Sequence, residues 1–288
     1  MNLLRCAGPF ALALLWGVAF AHGQEKSPAM QLSYETPHWL IISGDHLPGE
    51  KIRINYLEAY CRAGSTDADW VKHTVIPHRP ELLEVSADGS LVRLRDRLED
   101  GVIVDHTIRS TDDEISFAIS AKNPTDERSE AHWAQPCIRL GAFTGFSDGG
   151  SNLDDYLPKG FVFIDGELTR FPQVVPWAKE ARYIPGQVWC PTSVPRTDVN
   201  PRPLSPLVPT YGLIGCYSAD ERMVFGVAFE PYQELFQGVA RCLHSDFRLG
   251  GLKPGESKQI RGKIYLIRGD GDDLLKRYLR DFPEHGNR

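Results

Sequence analysis

Residue types that can exchange protons concentrate in residues 230–248. Two carboxylates, Glu230 and Glu234, follow an apolar run, and His244 lies on the next one. A carboxylate beside His244 would form an acid–base pair in which one group removes a proton while the other donates one. The alternative is structural: loop carboxylates, a turn acid at Asp246 and a histidine that serves only as a hydrogen-bond donor. Ligand contacts in this stretch are expected from Tyr232, Glu234 and Arg248.

A second set of ligand-type side chains is spaced at even intervals in residues 132–140. In a regular strand, Trp133, Gln135 and Arg139 project to the same side. An indole ring can stack on the apolar face of a sugar ring, while an amide and a guanidinium bind hydroxyl or carboxylate groups. This pattern predicts a ligand-binding surface. The alternative is a tryptophan at the rim of the core and an arginine held in an ion pair.

Two other histidines are alternative acid–base candidates, and strand parity places them on particular faces. His106 shares parity with Val104 and Ile108 and is expected on the apolar face of its strand. There it is either a hydrogen-bonded core residue or an acid or base that opens into a cleft. Its neighbour Asp105 is expected on the opposite face. His132 has the opposite parity to the ligand-type set, which places it on the other side of its strand.

The elements that would position these residues are mostly β-strands, because the dominant hydrophobic period is two. Apolar and polar residues alternate in 51–56, 114–120 and 260–266. Turn signals rich in glycine, proline and aspartate separate such runs. The other predicted strands are 91–97, 102–109, 132–142, 161–165, 187–190, 212–218, 223–229 and 239–247.

One helix is predicted close to the C-terminus. Asp270 offers an N-cap, an apolar stripe runs as far as Phe282, and Pro283 ends the pattern. The Gly-Asp-Gly-Asp-Asp run at its start lacks the ligand spacing of an EF-hand loop, so it indicates a helix start rather than a calcium site.

Two long segments, 144–160 and 191–210, have no strand or helix pattern. The second contains six of the 21 prolines, which excludes a central strand. Because apolar runs flank it directly, it is expected to lie over a sheet face, where long loops often line binding sites. Many short strands, few helices and no repeat predict an all-β fold, a large antiparallel β-sandwich with a short C-terminal helix.

Two stretches carry a resemblance to a known family. Residues 105–140 read Asp-His-Thr-Ile, Ile-Ser-Phe, Asn-Pro-Thr and Gln-Pro-Cys-Ile-Arg-Leu in order, and residues 242–265 contain Cys-Leu-His-Ser-Asp and Lys-Pro-Gly-Glu-Ser. This plan resembles secreted bacterial proteins with a galactose-mutarotase-like supersandwich, in particular an uncharacterised group of them. The resemblance implies a glutamate base and a histidine acid, which assigns those roles to Glu230 and His244, with His132 and His106 as alternates.

The N-terminus has the pattern of an export signal. A positive charge precedes the almost wholly apolar residues 7–20, and the run ends in Ala-Phe-Ala. The sequence therefore predicts a signal peptide at 1–21 and a single β-supersandwich domain at 22–288. It also predicts a secreted or periplasmic protein with no membrane span after signal cleavage.

Composition and absent motifs narrow the remaining function classes. The 288 residues carry 32 basic and 38 acidic side chains, a net charge of -6, which excludes the basic field that nucleic acid requires. The chain has no His-Glu-x-x-His or Gly-x-x-x-x-Gly-Lys motif, and no Cys-x-x-Cys pair. No metal or cofactor is expected from these motifs, although scattered histidines could still meet around a metal. Disulfide pairing stays open among Cys61, Cys137, Cys190, Cys216 and Cys242.

The expected partner is a saccharide or polysaccharide. Two functions fit it: an epimerase, mutarotase, lyase or hydrolase that uses acid–base catalysis, or a non-catalytic carbohydrate-binding or cell-envelope module of the same fold. A metal-dependent periplasmic enzyme is the third alternative.

Overall fold

Between Leu91 and Leu98 every second side chain is buried, and similar alternation recurs along much of the chain. Such strands must stack their apolar faces on another layer. In the computed structural model they do so as two sheets. The structure describes residues 29–64, 69–148, 153–174, 187–199, 204–238 and 240–286. The predicted signal peptide lies outside the described residues.

Seventeen strands are formed by the described residues. They are β1 (Gln31–Glu35), β2 (Trp39–Ser43), β3 (Lys51–Arg62), β4 (Val75–Ile76), β5 (His78–Val85), β6 (Leu91–Leu98), β7 (Ile103–Ser110), β8 (Glu114–Lys122), β9 (Ala131–Arg139), β10 (Gly160–Ile164), β11 (Glu167–Arg170), β12 (Val188–Trp189), β13 (Pro209–Tyr217), β14 (Met223–Glu230), β15 (Tyr232–Gln237), β16 (Cys242–Arg248) and β17 (Ser257–Arg268). The α-helices are α1 (Trp70–His73) and α2 (Gly271–Asp281). Short 3-10 helices span Leu157–Lys159, Phe171–Gln173, Arg196–Asp198 and Pro283–His285.

The strands pair into an eight-stranded and a nine-stranded sheet. The first has the order β1-β2-β3-β9-β16-β15-β12, with β4 added beside β3, and the second has the order β11-β10-β13-β14-β17-β8-β7-β6-β5. Each pairing within these strand orders is antiparallel. The predicted large antiparallel sandwich is confirmed.

The main core fills the space between the two sheets. Ile54 and Ile138 of the eight-stranded sheet belong to the same apolar cluster as Ile108 and Phe117 of the nine-stranded sheet. The outer face of the nine-stranded sheet is covered by α2, whose Tyr278 is fully buried there. This burial explains why the predicted C-terminal helix forms where its apolar stripe indicates.

The ends of α2 also follow the sequence prediction. The Asp270 side chain accepts hydrogen bonds from the backbone N–H groups of Asp272 and Asp273, which would otherwise lack partners. The helix ends at Asp281, two residues before Pro283. The acidic run at residues 269–273 therefore forms a helix start, as predicted.

The outer face of the eight-stranded sheet is covered by loop and by α1. In the proline-rich segment, Val194 and Val199 pack with Phe236 of β15. Trp70 of α1 packs on Trp133 of β9, with ring centroids 6.1 Å apart. The predicted loop over a sheet face is confirmed for the part of 191–210 that the structure describes.

Candidate functional site

Polar side chains gather on the outer face of the eight-stranded sheet, where β9, β16 and β15 lie side by side. Register places Arg139 opposite Cys242, and Glu234 opposite Asp246. Such directly opposite residues point to the same face, so the outward residues of three strands form one surface. Its buried polar members include Gln135, Glu234, His244 and Asp246.

Two β-bulges change which side chains reach this face. In the pairing of β9 with β3, the consecutive residues Cys61 and Arg62 lie opposite Trp133 and Ala131. His132, between those two, therefore has no partner on β3 and is the extra residue. In the pairing of β15 with β16, Tyr232 and Glu234 lie opposite two consecutive residues, so Gln233 between them has no partner and is the extra residue. A bulge redirects the unpaired residue, and both extra residues turn towards the outer face. The parity-based placement of His132 on the other side of β9 is therefore wrong.

The redirected residues meet a third element, the 3-10 helix Arg196–Asp198 of the proline-rich loop. Nδ1 of His132 lies 3.3 Å from Oδ2 of Asp198, and Arg248 donates to the same oxygen at 2.7 Å. Gln233 donates to the backbone carbonyl of Asp198 at 2.9 Å and accepts from Arg248. These four residues, His132, Asp198, Gln233 and Arg248, are called the rim cluster.

The rim cluster is partly open to solvent. The side chain of His132 is 22% exposed, that of Asp198 12% and that of Arg248 17%. Burial lowers the pKa of His132, and the nearby carboxylate of Asp198 only partly offsets this. The pKa of Asp198 is also lowered, because its bonds with Arg248 and His132 outweigh the opposing effect of burial. At neutral pH the cluster therefore combines a neutral imidazole with a carboxylate and a guanidinium.

A second group lies deeper on the same face. Sγ of Cys242 is 3.5 Å from Nε2 of His244, and Nδ1 of His244 is 3.5 Å from Oδ1 of Asp246. Sγ of Cys137 on β9 lies within 4.8 Å of Sγ of Cys242. All four side chains are at least 98% buried. Cys137, Cys242, His244 and Asp246 are called the buried cluster.

Charges are favoured inside the buried cluster despite its burial. Desolvation acts to lower the pKa of His244, but Cys242 and Asp246 raise it above its usual range. The hydrogen bond from Cys137 and the proximity of His244 hold the pKa of the Cys242 thiol well below its usual range. Both shifts favour the charged forms of this thiol and this imidazole over their neutral forms.

Two neighbours of the buried cluster retain unused hydrogen-bonding capacity. Nε2 of Gln135 and Nε of Arg139 are buried, and neither has a hydrogen-bond partner among the described residues. Buried donors are usually paired, so unpaired ones on a polar face indicate a site that a ligand could complete. Gln135 thus remains a ligand-contact candidate, as does Arg139.

The predicted pairing of Glu230 with His244 is wrong. Glu230 ends β14 in the nine-stranded sheet, whereas His244 belongs to β16 in the other sheet. Its carboxylate instead lies 3.1 Å from Nε2 of His285, beyond the end of α2. The carboxylate beside His244 is that of Asp246, with Glu234 on the neighbouring strand.

Two aromatic residues expected to contact ligand are packed inside the protein. Tyr232 belongs to the core between the sheets, and a Cβ at Gly212 would lie 2.6 Å from its ring. Trp133 faces outward as predicted, but it is fully buried beneath Trp70. Neither ring offers a free surface for stacking, so these two ligand-contact predictions are not supported.

His106 is a core residue with full hydrogen bonding. Its Nδ1 lies 2.9 Å from the hydroxyl of Tyr56, and its Nε2 lies 3.1 Å from Asp96 and 3.2 Å from the hydroxyl of Tyr60. The predicted position on the apolar face is confirmed, and Asp105 lies on the other face in an ion pair with Arg95. No cleft opens at His106, whose side chain is fully buried.

Sequence reasoning missed Asp198 and Gln233. Asp198 stands in a proline-rich loop without periodicity, and Gln233 owes its direction to a bulge. The only available signal was the prediction that this loop overlies a sheet face.

Comparisons with known proteins add similarities of fold. No protein-family model matches the chain, and no curated protein matches it. Similar solved structures include a protein from Synechocystis sp. PCC 6803, with a TM-score of 0.44, 10% identity and coverage of 85% of this chain and 97% of that chain. A candidate aldose 1-epimerase from Escherichia coli K12 has a TM-score of 0.44 and 10% identity, covering 83% of this chain and 99% of its own. A galactose mutarotase-like protein from Lactobacillus casei has a TM-score of 0.41 and 9% identity, and the match covers 83% of this chain and 100% of that chain.

These scores limit what the similarities mean. All three TM-scores are below 0.5, so they say nothing about the substrate or reaction of this chain. Among the described residues, no helix has the length and apolar character needed to cross a membrane.

Proposed function

We propose that this chain is an exported carbohydrate-active protein that binds a saccharide at the rim cluster and uses His132 as its acid–base residue. The observation that carries the proposal is the contact of one Asp198 oxygen with both His132 and Arg248 at a partly open surface. His132 thereby takes the role that the sequence assigned first to His244, which is buried.

The chemistry of the rim cluster suits a saccharide. Sugar hydroxyls both donate and accept hydrogen bonds, and the cluster offers a carboxylate, a guanidinium, an amide and an imidazole. Saccharide sites need few, well-positioned polar groups. Here Arg248 bonds to both Asp198 and Gln233, which fixes the direction of each.

The position of His132 supports a catalytic role. Its Nδ1 faces Asp198, so the carboxylate orients the ring as in other acid–base pairs. Its other nitrogen, Nε2, lies against Gly251, where a Cβ would come within 2.6 Å. Glycine at residue 251 therefore permits the ring to pack this closely against the backbone, which helps to fix its position. The lowered pKa of His132 leaves the ring neutral at pH 7, which suits a general base.

Binding and turnover assays test this function. Wild-type protein would be applied to a glycan array and assayed for anomer exchange by NMR and for lyase activity by absorbance of unsaturated uronates. We expect His132→Gln to reduce turnover by about 10²- to 10⁴-fold while changing binding only a few-fold. His73→Gln is the matched control, because His73 is exposed on α1.

The outcomes separate the alternatives. Absence of glycan binding by the wild type, or full activity of His132→Gln, would overturn the proposal. Loss of activity in Glu230→Gln with retention in His132→Gln would restore the assignment based on sequence. Binding without turnover by the wild type would identify a non-catalytic carbohydrate-binding module.

Export is tested separately. We expect the protein in the periplasmic or extracellular fraction, with an N-terminus at residue 22. A cell-retained protein that still begins at Met1 would contradict this.

A further inference from the structure

Three metal-ligating side chains converge in the buried cluster. The ligand atoms of Cys137, Cys242 and His244 all lie within 4.8 Å of one another, and all three residues are buried. Sulfur and imidazole ligands are the set that Zn²⁺ takes in protein sites. The three residues come from β9 and β16, which pair side by side but are far apart in the sequence, so no local sequence motif predicts that they meet.

The spacing of the donors matches a tetrahedral ion. Zn–S bonds of about 2.3 Å and Zn–N bonds of about 2.05 Å put a sulfur and a nitrogen ~3.6 Å apart at the tetrahedral angle. The observed distance from Sγ of Cys242 to Nε2 of His244 is 3.5 Å. The distance between this sulfur and this nitrogen therefore matches the one expected around a tetrahedral zinc ion.

The surroundings of His244 have the form expected of a metal-bound histidine. A ligating histidine usually directs its other ring nitrogen to a carboxylate, which orients the ring and raises its basicity. Nε2 of His244 faces Cys242, while Nδ1 lies 3.5 Å from Oδ1 of Asp246. The Asp246 carboxylate occupies the position of that second partner.

The backbone also approaches the cluster closely. A Cβ at Gly238 would lie 2.4 Å from Sγ of Cys242 and 3.3 Å from Nε2 of His244. Any other residue at this position would push these two donors aside. Glycine here permits the close packing around the donor atoms.

We propose that Cys137, Cys242 and His244 bind one Zn²⁺ ion, with Asp246 orienting His244. Three protein ligands leave a fourth position for water or another small ligand. The site differs in all its residues from the rim cluster, so it stands or falls independently of the proposed function. It also replaces the expectation, based on motifs, that the chain has no metal site.

Metal titration of the reduced full-length protein tests the site. We expect one equivalent of Zn²⁺ to remain bound after dialysis, measured by inductively coupled plasma mass spectrometry. Co²⁺ in its place should give the visible bands of a tetrahedral ion together with thiolate-to-cobalt charge transfer. Bound Zn²⁺ should raise the melting temperature of the wild type.

Variants identify the ligands. Cys242→Ser and His244→Gln should abolish retention of the metal, and Asp246→Asn should weaken affinity by about 10- to 100-fold. Cys216→Ser is the matched control, because Cys216 is an equally buried thiol in the core between the sheets and should keep the full equivalent.

Four results would overturn the proposal. One is wild-type protein that retains no zinc, and another is a cobalt spectrum without thiolate charge transfer; neither depends on whether a variant folds. The third is a disulfide between Cys137 and Cys242 that forms in air in the presence of saturating Zn²⁺. The fourth is equal loss of metal in Cys216→Ser and Cys242→Ser.

Discussion

The residues that the structure describes include two buried histidine–aspartate pairs, one between the sheets and one on the outer face of the eight-stranded sheet. In the inner pair, His106 lies 3.1 Å from Asp96, and tyrosine hydroxyls reach both ring nitrogens. In the outer pair, His244 lies 3.5 Å from Asp246, a longer contact, and its other nitrogen faces a thiol. Burial is nearly the same, but the hydrogen bonding differs.

This difference separates a structural network from a candidate site. A buried polar network with all its members bonded rigidifies the core, whereas an incompletely bonded one is costly unless a ligand completes it. In the inner network, Tyr56 and Tyr60 bond both ring nitrogens of His106, although Oδ1 of Asp96 has no hydrogen-bond partner among the described residues. The outer face instead has the unpaired donors of Gln135 and Arg139 beside its histidine. We therefore expect stability to depend on the inner pair and ligand binding on the outer face.

The largest effect is expected when the inner pair is broken. Asp96→Ala removes the carboxylate that both His106 and Tyr60 contact, and it should lower the free energy of unfolding by about 3–5 kcal/mol. Urea unfolding followed by fluorescence measures this. Asp105→Ala is the control, because that exposed carboxylate pairs only at the surface, and its free energy of unfolding should stay close to the wild-type value. Equal losses in the two variants would contradict the structural role of the inner pair.

Removing one hydroxyl from the inner network should cost less. Tyr56→Phe leaves Nδ1 of His106 without its partner at 2.9 Å, and we expect a loss of about 1–3 kcal/mol in the free energy of unfolding. Tyr34→Phe is a useful comparison, because the Tyr34 hydroxyl bonds only to an exposed backbone carbonyl. A smaller loss for Tyr56→Phe than for Tyr34→Phe would reverse the expectation.

The inner pair should also make stability depend on pH. Desolvation acts to raise the pKa of Asp96, but the hydrogen bond from His106, the charges of His106 and His78, and the bond from Tyr60 lower it below 3.8. A depressed pKa stabilises the folded state fully above the unfolded value and loses that contribution as pH falls through the folded value. The free energy of unfolding should therefore decrease as the pH is lowered past about 4.

The variant Asp96→Asn isolates that contribution. Its amide cannot ionise, so the acid-dependent loss of stability should be smaller than in the wild type over the same pH range. Identical slopes for the two proteins would assign the loss to other carboxylates.

The smallest effect on stability is expected on the outer face. Gln135→Met replaces a buried amide whose Nε2 has no hydrogen-bond partner among the described residues with an apolar side chain of similar length. The free energy of unfolding should stay within about 1 kcal/mol of the wild type or rise. Binding of the saccharide or metal would be measured in parallel. A loss as large as that of Asp96→Ala would show that the outer face is structural too.

Period-two reasoning predicted much of this molecule because most strands are regular. It placed His106 inward and Gln135 outward correctly, and it found α2 with its Asp270 cap. It did not predict features that depend on which strands pair, because those pairs join segments that are far apart in the sequence. Alternation assigns no sheet to a strand, so Glu230 and Glu234, four residues apart, appeared to share one site although the chain crosses between sheets at Pro231.

The candidate site was harder to predict than the fold for the same reason. A bulge arises from the register of two paired strands, and the residues of β9 or β15 alone do not predict it. The buried cluster likewise exists because β9 pairs with β16, which brings Cys137 to the histidine of a distant segment.

The bulge at His132 makes this position sensitive to chain length rather than to residue type. Removing one residue from 131–133 would restore regular pairing with β3, and a histidine kept at that point would then turn towards the interior. When homologous chains are aligned, a gap of a single residue here would thus mark the gain or loss of the outward imidazole. An insertion or deletion of one residue could thus create or remove the rim cluster without any change in the identity of its four residues.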